Sequence, residues 1–233
     1  MLRKGSQYIN ETDIKDESVQ LIITDPPYLG QVVYSEYMQL YKPFLNLNFN
    51  LEDEIVVSSA PSRNKSEKQY FNDLCNVFSI CSQKLKNEGY LCLYFHDSSL
   101  AVWDKLIEIL SKNHFKYLSQ VHIKKSNTLK NIISPKKSLN GDCILFFKIN
   151  KDISTNPVGA EDILEIEQTI IIQSKYLVKT NHCLSTPELY DMGLMEVLIH
   201  NGWLNALSQK YKSLVDIFEK HLVCDSAKSK WTL

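Results

Sequence analysis

The most constraining stretch of this sequence is a change of character over ten residues. Val19-Gln20-Leu21-Ile22-Ile23-Thr24 is apolar and β-branched, and it ends abruptly in Asp25-Pro26-Pro27-Tyr28. Such a run reads as a strand, and two consecutive prolines cannot continue its hydrogen-bond ladder, so a rigid loop must come next. A chain with this junction is expected to place Asp25 at the carboxyl end of a buried strand, where open α/β sheets bind their ligands.

The residues beyond the junction fit a sheet of that kind. Tyr34 to Leu45 carries aromatics and aliphatics at three- and four-residue spacings, the mark of a helix, broken by Pro43. Ser58 to Lys68 is polar and turn-rich. Gln69 to Lys86 sets Phe71, Leu74, Cys75, Phe78, Cys81 and Leu85 on one helical face, with Asn87-Glu88-Gly89 expected to stop it near a C-cap. Tyr90 to Phe95 is almost wholly apolar and predicts a strand buried on both faces. Ser98 or Ser99 opens a helix to about Leu110. Tyr117 to Ile123 and Asp142 to Ile149 predict two more strands. Strand, helix, strand, helix, strand, strand is half of an open α/β sheet closed by a hairpin-like pair.

Lys151 to Ala160, with Pro157 and Gly159, is the expected linker. Beyond it the pattern is helical: Glu161 to Leu177, then a helix opened by Ser185-Thr186-Pro187-Glu188 and running to His200, then Leu204 to Leu222. The expected organisation is therefore residues 1–150 as one half-domain, 151–160 as a linker, and 161–233 as a helical extension that docks a partner.

Composition narrows the function classes. Lys and Arg number 26 against 27 Asp and Glu, a net charge of −1, so any nucleic-acid-binding surface must be local. A hydrophobic content of 44% excludes intrinsic disorder. No apolar run approaches the roughly 18–20 residues of a spanning helix, and the polar Met1-Leu2-Arg3-Lys4-Gly5-Ser6 lacks a signal core; no membrane contact and a cytoplasmic location are expected. The cysteines form no C-x-x-C pair, and His182-Cys183 alone makes a poor chelate, so no metal is expected.

Asp25-Pro26-Pro27-Tyr28 after a hydrophobic strand resembles the D-P-P-Y motif of S-adenosyl-L-methionine-dependent methyltransferases that modify exocyclic amino groups. Lys4-Gly5-Ser6 through Asp16-Glu17-Ser18-Val19 resembles their lead-in, and Leu29 to Glu36 is similar to bacterial adenine-specific DNA methylases. The resemblance covers about residues 4 to 149. It implies a partial class I, Rossmann-like methyltransferase sheet, with Asp25 and the Pro26 carbonyl orienting the target amine, Pro27 stiffening the loop, and Tyr28 stacking on a base flipped from the helix. The same motif occurs in enzymes acting on guanine amino groups of RNA.

Such enzymes also hold the cofactor with a glycine-rich turn. No two of the seven glycines here are separated by one residue, so G-x-G is absent. The resemblance thus implies a split enzyme in which a partner chain supplies the cofactor half and shares Asp25 as a cofactor contact. A half sheet would bare the flank of Leu21 to Ile23, which favours association. The rival expectations are a non-catalytic DNA-recognition or scaffold subunit, or part of an RNA amino-methyltransferase.

Weaker signals remain. Ile109 to Gly141 contains no Asp or Glu and holds Lys124, Lys125, Lys130, Lys136 and Lys137, a segment suited to DNA phosphates. His96-Asp97-Ser98-Ser99 follows a strand and either shapes a base pocket or starts a helix. Arg63 reads as a surface residue. Tyr34, Tyr37 and Tyr41 read as packing, and Trp103 and Trp203 as core.

Overall fold

The computed structural model describes residues 5–30, 33–45, 50–124, 141–151, 162–225 and 230–233. Its main sheet has four strands, β1 (Val19–Thr24), β2 (Leu85–Phe95), β3 (Phe115–Lys124) and β4 (Gly141–Ile149), in the order β1-β2-β4-β3. β1 and β2 run parallel, while β4 is antiparallel to both its neighbours. Helices α1 (Tyr34–Leu45), α2 (Glu67–Lys84) and α3 (Leu100–Lys112) connect the strands. The fold is α/β, and all four predicted strands form.

The link from α2 to β2 departs from expectation. A capping box between Ser66 and Gln69 starts the helix, which ends at Lys84 and passes into β2 with no loop. Gly89 is therefore not a helix cap. It lies inside β2, where the pairing slips: Val19 faces Leu85, but Leu21 already faces Tyr90. Glu88 takes a left-handed φ of 66° in this bulge, and a Cβ on Gly89 would sit 2.9 Å from the Lys86 carbonyl and 3.2 Å from that of Gln20. Close backbone approach explains the glycine.

β2 is also covered on one side only. Leu91, Leu93 and Phe95 are buried with Leu145 and Phe147 of β4, beneath Leu74 and Phe78 of α2 and Leu106 and Leu110 of α3. The alternate residues point the other way: Tyr90 is exposed, and Cys92 and Tyr94 are half-buried. On this second face Leu21 is 48% and Ile23 65% exposed, and Val121 and Ile123 of β3 are bare as well. The expectation of a strand buried on both faces fails because among the described residues the helices lie on one side. Among the described residues β1 is an edge strand in which no residue is fully buried, so the expectation of a buried strand before Asp25 fails as well.

Of the expected linker, only Lys151 is described; its ammonium reaches Glu17 at 2.9 Å and the Leu85 carbonyl at 3.2 Å. The helices beyond are α4 (Ile163–Asn181), α5 (Thr186–Leu189), α6 (Met195–His200), α7 (Leu204–Lys210) and α8 (Val215–His221). Ser185 and Glu188 form a capping box with Pro187 in the first turn. The single helix expected to His200 is interrupted at Tyr190–Leu194, where Gly193 has a φ of 110°. The helix expected over Leu204 to Leu222 breaks where Asp216 accepts the amides of Lys212 and Ser213, both at 2.9 Å. A short hairpin, β5 (Val223–Asp225) and β6 (Lys230–Thr232), buries Trp231, whose indole donates to Thr186 Oγ1 at 2.9 Å. These elements share one hydrophobic core with the sheet. The Leu100 amide donates to the Lys212 carbonyl at 2.9 Å, and the Tyr117 ring meets His200 edge-on at 5.1 Å. No described helix is long and apolar enough to cross a membrane.

Candidate active site

Parallel pairing puts the carboxyl ends of β1 and β2 side by side, with Thr24 opposite Leu93. The loop of residues 25–28 leaves one strand and His96-Asp97-Ser98-Ser99 the other. Within the first loop the Tyr28 hydroxyl donates to Asp25 Oδ1 at 2.7 Å. The Tyr28 ring stands edge-on to Phe95, with centroids 6.2 Å apart, and Phe95 is in turn edge-on to Trp103 at 4.7 Å. From α2, the Tyr70 hydroxyl donates to the Pro27 carbonyl at 2.6 Å. The loop is thus held twice, by edge-on aromatic contacts and by the hydroxyl of a buried phenol.

Asp97 has a local task. Its Oδ1 accepts the Ser99 amide at 2.7 Å, and its carbonyl accepts the Trp103 indole at 2.9 Å, which starts α3 and ties it to the β2 end. Burial, helped by the Asp97 charge, pushes the Tyr70 hydroxyl well above the usual tyrosine value. Burial likewise lifts Tyr190 to about 12. Between Phe95, His96, His122, Cys143 and Tyr190 lies a cavity of about 20 Å³. That is room for about one water and too little for a base.

Arg63 is not a surface residue. Its guanidinium is buried, donating through Nη2 to Ser35 Oγ at 2.7 Å and through Nε to Glu54 Oε2 at 3.2 Å. Glu54 also accepts the Ser35 amide at 2.9 Å and its hydroxyl at 2.5 Å. This polar knot anchors the first turn of α1, the helix that follows the loop. The rest of α1 is bare. Tyr34, Tyr37 and Tyr41, expected to pack, are exposed together with Leu40, Leu45 and Phe44, the last at 83%. Spacing suggests a packed helix, yet no described element covers these side chains.

The structure therefore places Asp25, Pro26, Pro27 and Tyr28 together at a strand end. Lys124 closes β3, whereas Lys125, Lys130, Lys136 and Lys137 lie outside the described residues. Among the described residues no cluster of three or more His, Cys, Asp or Glu could hold a metal ion. Three residues at the site have roles that a reading of the sequence misses. Tyr70 sits on an apolar helix face, where nothing in a tyrosine announces a polar task, although the Ser66-x-x-Gln69 box sets its place in the turn. Arg63 and Glu54 are nine positions apart in irregular chain, with no periodicity to pair them.

Two solved structures resemble the chain, both of a candidate DNA modification methylase from Thermus thermophilus. One matches at 11% identity and a TM-score of 0.36, covering 73% of this chain and 62% of that one. The other, complexed with S-adenosyl-L-methionine, matches at 13% and 0.37, covering 73% and 63%. The chain thus spans less than two thirds of their length, and at these scores no residue correspondence follows. No curated protein matches. The family model described as DNA methylase, of the N6 and N4 group, matches residues 19–230, from the first residue of β1 to the first of β6. Nearly the whole chain, with the D-P-P-Y strand end and the helices behind it, belongs to the DNA methylase family.

Proposed function

We propose that this chain is the catalytic part of a DNA adenine N6-methyltransferase and works with a partner that supplies the glycine-rich cofactor segment. The observation that carries the reading is the pair Asp25 and Tyr28, bonded at 2.7 Å at the end of an edge strand, in a chain of the DNA methylase family. An exocyclic amine is a poor nucleophile because its lone pair is delocalised into the ring. Two acceptors aimed at its N–H groups favour a pyramidal nitrogen with the lone pair directed outward. Asp25 and the Pro26 carbonyl are those acceptors, and the proline rings hold them in place before substrate arrives. Tyr28 offers its ring to the flipped base and keeps water from that side. After transfer the amine loses its proton to solvent.

S-adenosyl-L-methionine, the methyl donor of the family, supplies the electrophilic methyl group when bound. The residues present fit the acceptor side of that reaction. They do not provide a backbone cradle for the cofactor, since the sequence contains no closely paired glycines. The unpaired edge of β1, the open face around Ile23 and the bare aromatic side of α1 support a partner that brings the cradle and leaves Asp25 as a shared contact. Leu164, Ile172 and Tyr176 on the exposed side of α4 support a docking role for the C-terminal helices as well. Lys124, Lys125, Lys130, Lys136 and Lys137 are proposed to meet DNA phosphates.

The test is radiolabelled methyl transfer to duplex DNA, with nucleoside analysis of the product. It compares this chain alone, the chain co-expressed with its genomic neighbour, and that pair carrying Asp25→Ala. N6-methyladenine made only by the wild-type pair is the expected result. N4-methylcytosine would move the target base, and transfer by the lone chain would remove the partner. No transfer by the pair to DNA or to structured RNA would overturn the catalytic reading.

A further inference from the structure

The loop of residues 25–28 has very few soft torsions. Pro26 restricts the backbone of Asp25, and Pro27 restricts that of Pro26; each proline ring also fixes its own φ. The ψ of Pro27 is the least restricted backbone torsion before Tyr28, because residue 28 is a tyrosine and not a third proline. That torsion turns the peptide between Pro27 and Tyr28 and, with the φ and χ1 of Tyr28, sets where the Tyr28 ring lies.

The oxygen of that same peptide is the atom Tyr70 holds at 2.6 Å. Tyr70 is well fitted to hold it. The capping box fixes the first turn of α2, with Ser66 N donating to Gln69 Oε1 at 2.7 Å and Tyr70 N donating to Ser66 O at 3.0 Å. Tyr70 is only 2% exposed, and its hydroxyl is directed at the Pro27 carbonyl. Burial raises its pKa, so the hydroxyl keeps its proton and stays a donor around neutral pH.

We propose that Tyr70 is a positioning residue: its hydroxyl sets the ψ of Pro27, and through it the place of the Tyr28 ring and the Tyr28–Asp25 hydrogen bond. The consequence for methyl transfer rests on the proposed function, whereas the geometric part does not.

The test uses two readouts on Tyr70→Phe, which removes one oxygen and keeps the ring. The first is the NMR spectrum of the chain with ¹³C-labelled tyrosine rings, Tyr28 being assigned from Tyr28→Phe. Tyr70→Phe is expected to shift and broaden the Tyr28 ring signals while those of the distant Tyr176 stay in place. Phe78→Leu, buried two turns further along α2 against Phe115 and without a bond to the loop, is expected to lower Tm and leave the Tyr28 signals unmoved. The second readout is transfer by the complete methylating pair, where kcat should fall about ten- to a hundredfold with KM for S-adenosyl-L-methionine within about twofold. Unmoved Tyr28 signals in Tyr70→Phe overturn the proposal, as do equal shifts in Phe78→Leu. Moved signals with an unchanged kcat overturn its catalytic half. A wild-type pair that transfers nothing refutes the proposed function instead, and the NMR result still decides the role of Tyr70.

Discussion

Along β2, neighbouring residues live in different surroundings. Leu91, Leu93 and Phe95 are buried under α2 and α3, while Tyr90, Cys92 and Tyr94, equally apolar in composition, turn to a face no described helix covers. The closed face behaves as a finished core. The open face, the β1 edge beside it and the exposed side of α1 together resemble a core cut in half. The lesson is that one sheet can be a finished core on one side and an open apolar surface on the other, and that Asp25 follows directly on the edge strand of that sheet.

The comparison can be broken by mutation. The largest loss is expected at Phe95, buried on the closed face and edge-on to both Tyr28 and Trp103: Phe95→Ala should cost about 4 kcal/mol in urea unfolding. Arg63→Ala should come second at about 3 kcal/mol, since it strands Glu54, whose side chain is 15% exposed, without its cation. If Arg63→Ala leaves unfolding untouched, the polar knot does not anchor α1. On the open face Ile23→Ser should change the stability of the chain by less than about 0.5 kcal/mol. In co-purification with the proposed partner, however, it should weaken association clearly. An Ile23→Ser chain as unstable as Phe95→Ala would mean that the second face is a core after all.

The smallest effect concerns the segment before β1, where Asp16 and Glu11 pair with the Lys84 ammonium at the end of α2. The hydrogen bond from Lys84 lowers the Asp16 carboxyl from its ordinary 3.8, and that bond raises the Lys84 ammonium from 10.5. The carboxylate contribution is complete above 3.8 and is lost as pH falls through the lowered value. The lysine contribution is complete below 10.5 and is lost as pH rises through the raised one. The Tm difference between wild type and Asp16→Asn should therefore be small, flat from about pH 5 to 9, and narrower at both extremes.

Much of this is legible in the residues. β1 and its loop are announced by β-branched residues cut off by two prolines, and β3 and β4 by apolar runs bounded by polar stretches. The motif brings its neighbours with it, because the carboxyl end of a strand is a place as well as a pattern. What the residues do not reveal is relational. An all-apolar strand looks the same whether one face is covered or two, so the bare side of β2 is invisible in the chain. Arg63 gives no sign that Ser35 and Glu54 wait for it. Asp216 resembles any acidic residue of a helix until its carboxylate is seen gathering the amides of Lys212 and Ser213. Tyr70 is hidden by its own amphipathic nature: its ring satisfies the helix pattern and leaves its hydroxyl unremarked.

Gly89 has a bearing on how freely this sequence can change. It lies far from Asp25 along the chain, contacts no part of the loop, and does nothing that a survey of chemical roles would notice. Yet a single methyl group there would press on the carbonyls of Lys86 and Gln20, and so wedge apart the two strands whose far ends carry Tyr28 and Phe95. In a library sampling every residue at every position, Gly89 should be among the sites of lowest tolerance, grouping with the motif in its intolerance while contributing no atom to the chemistry.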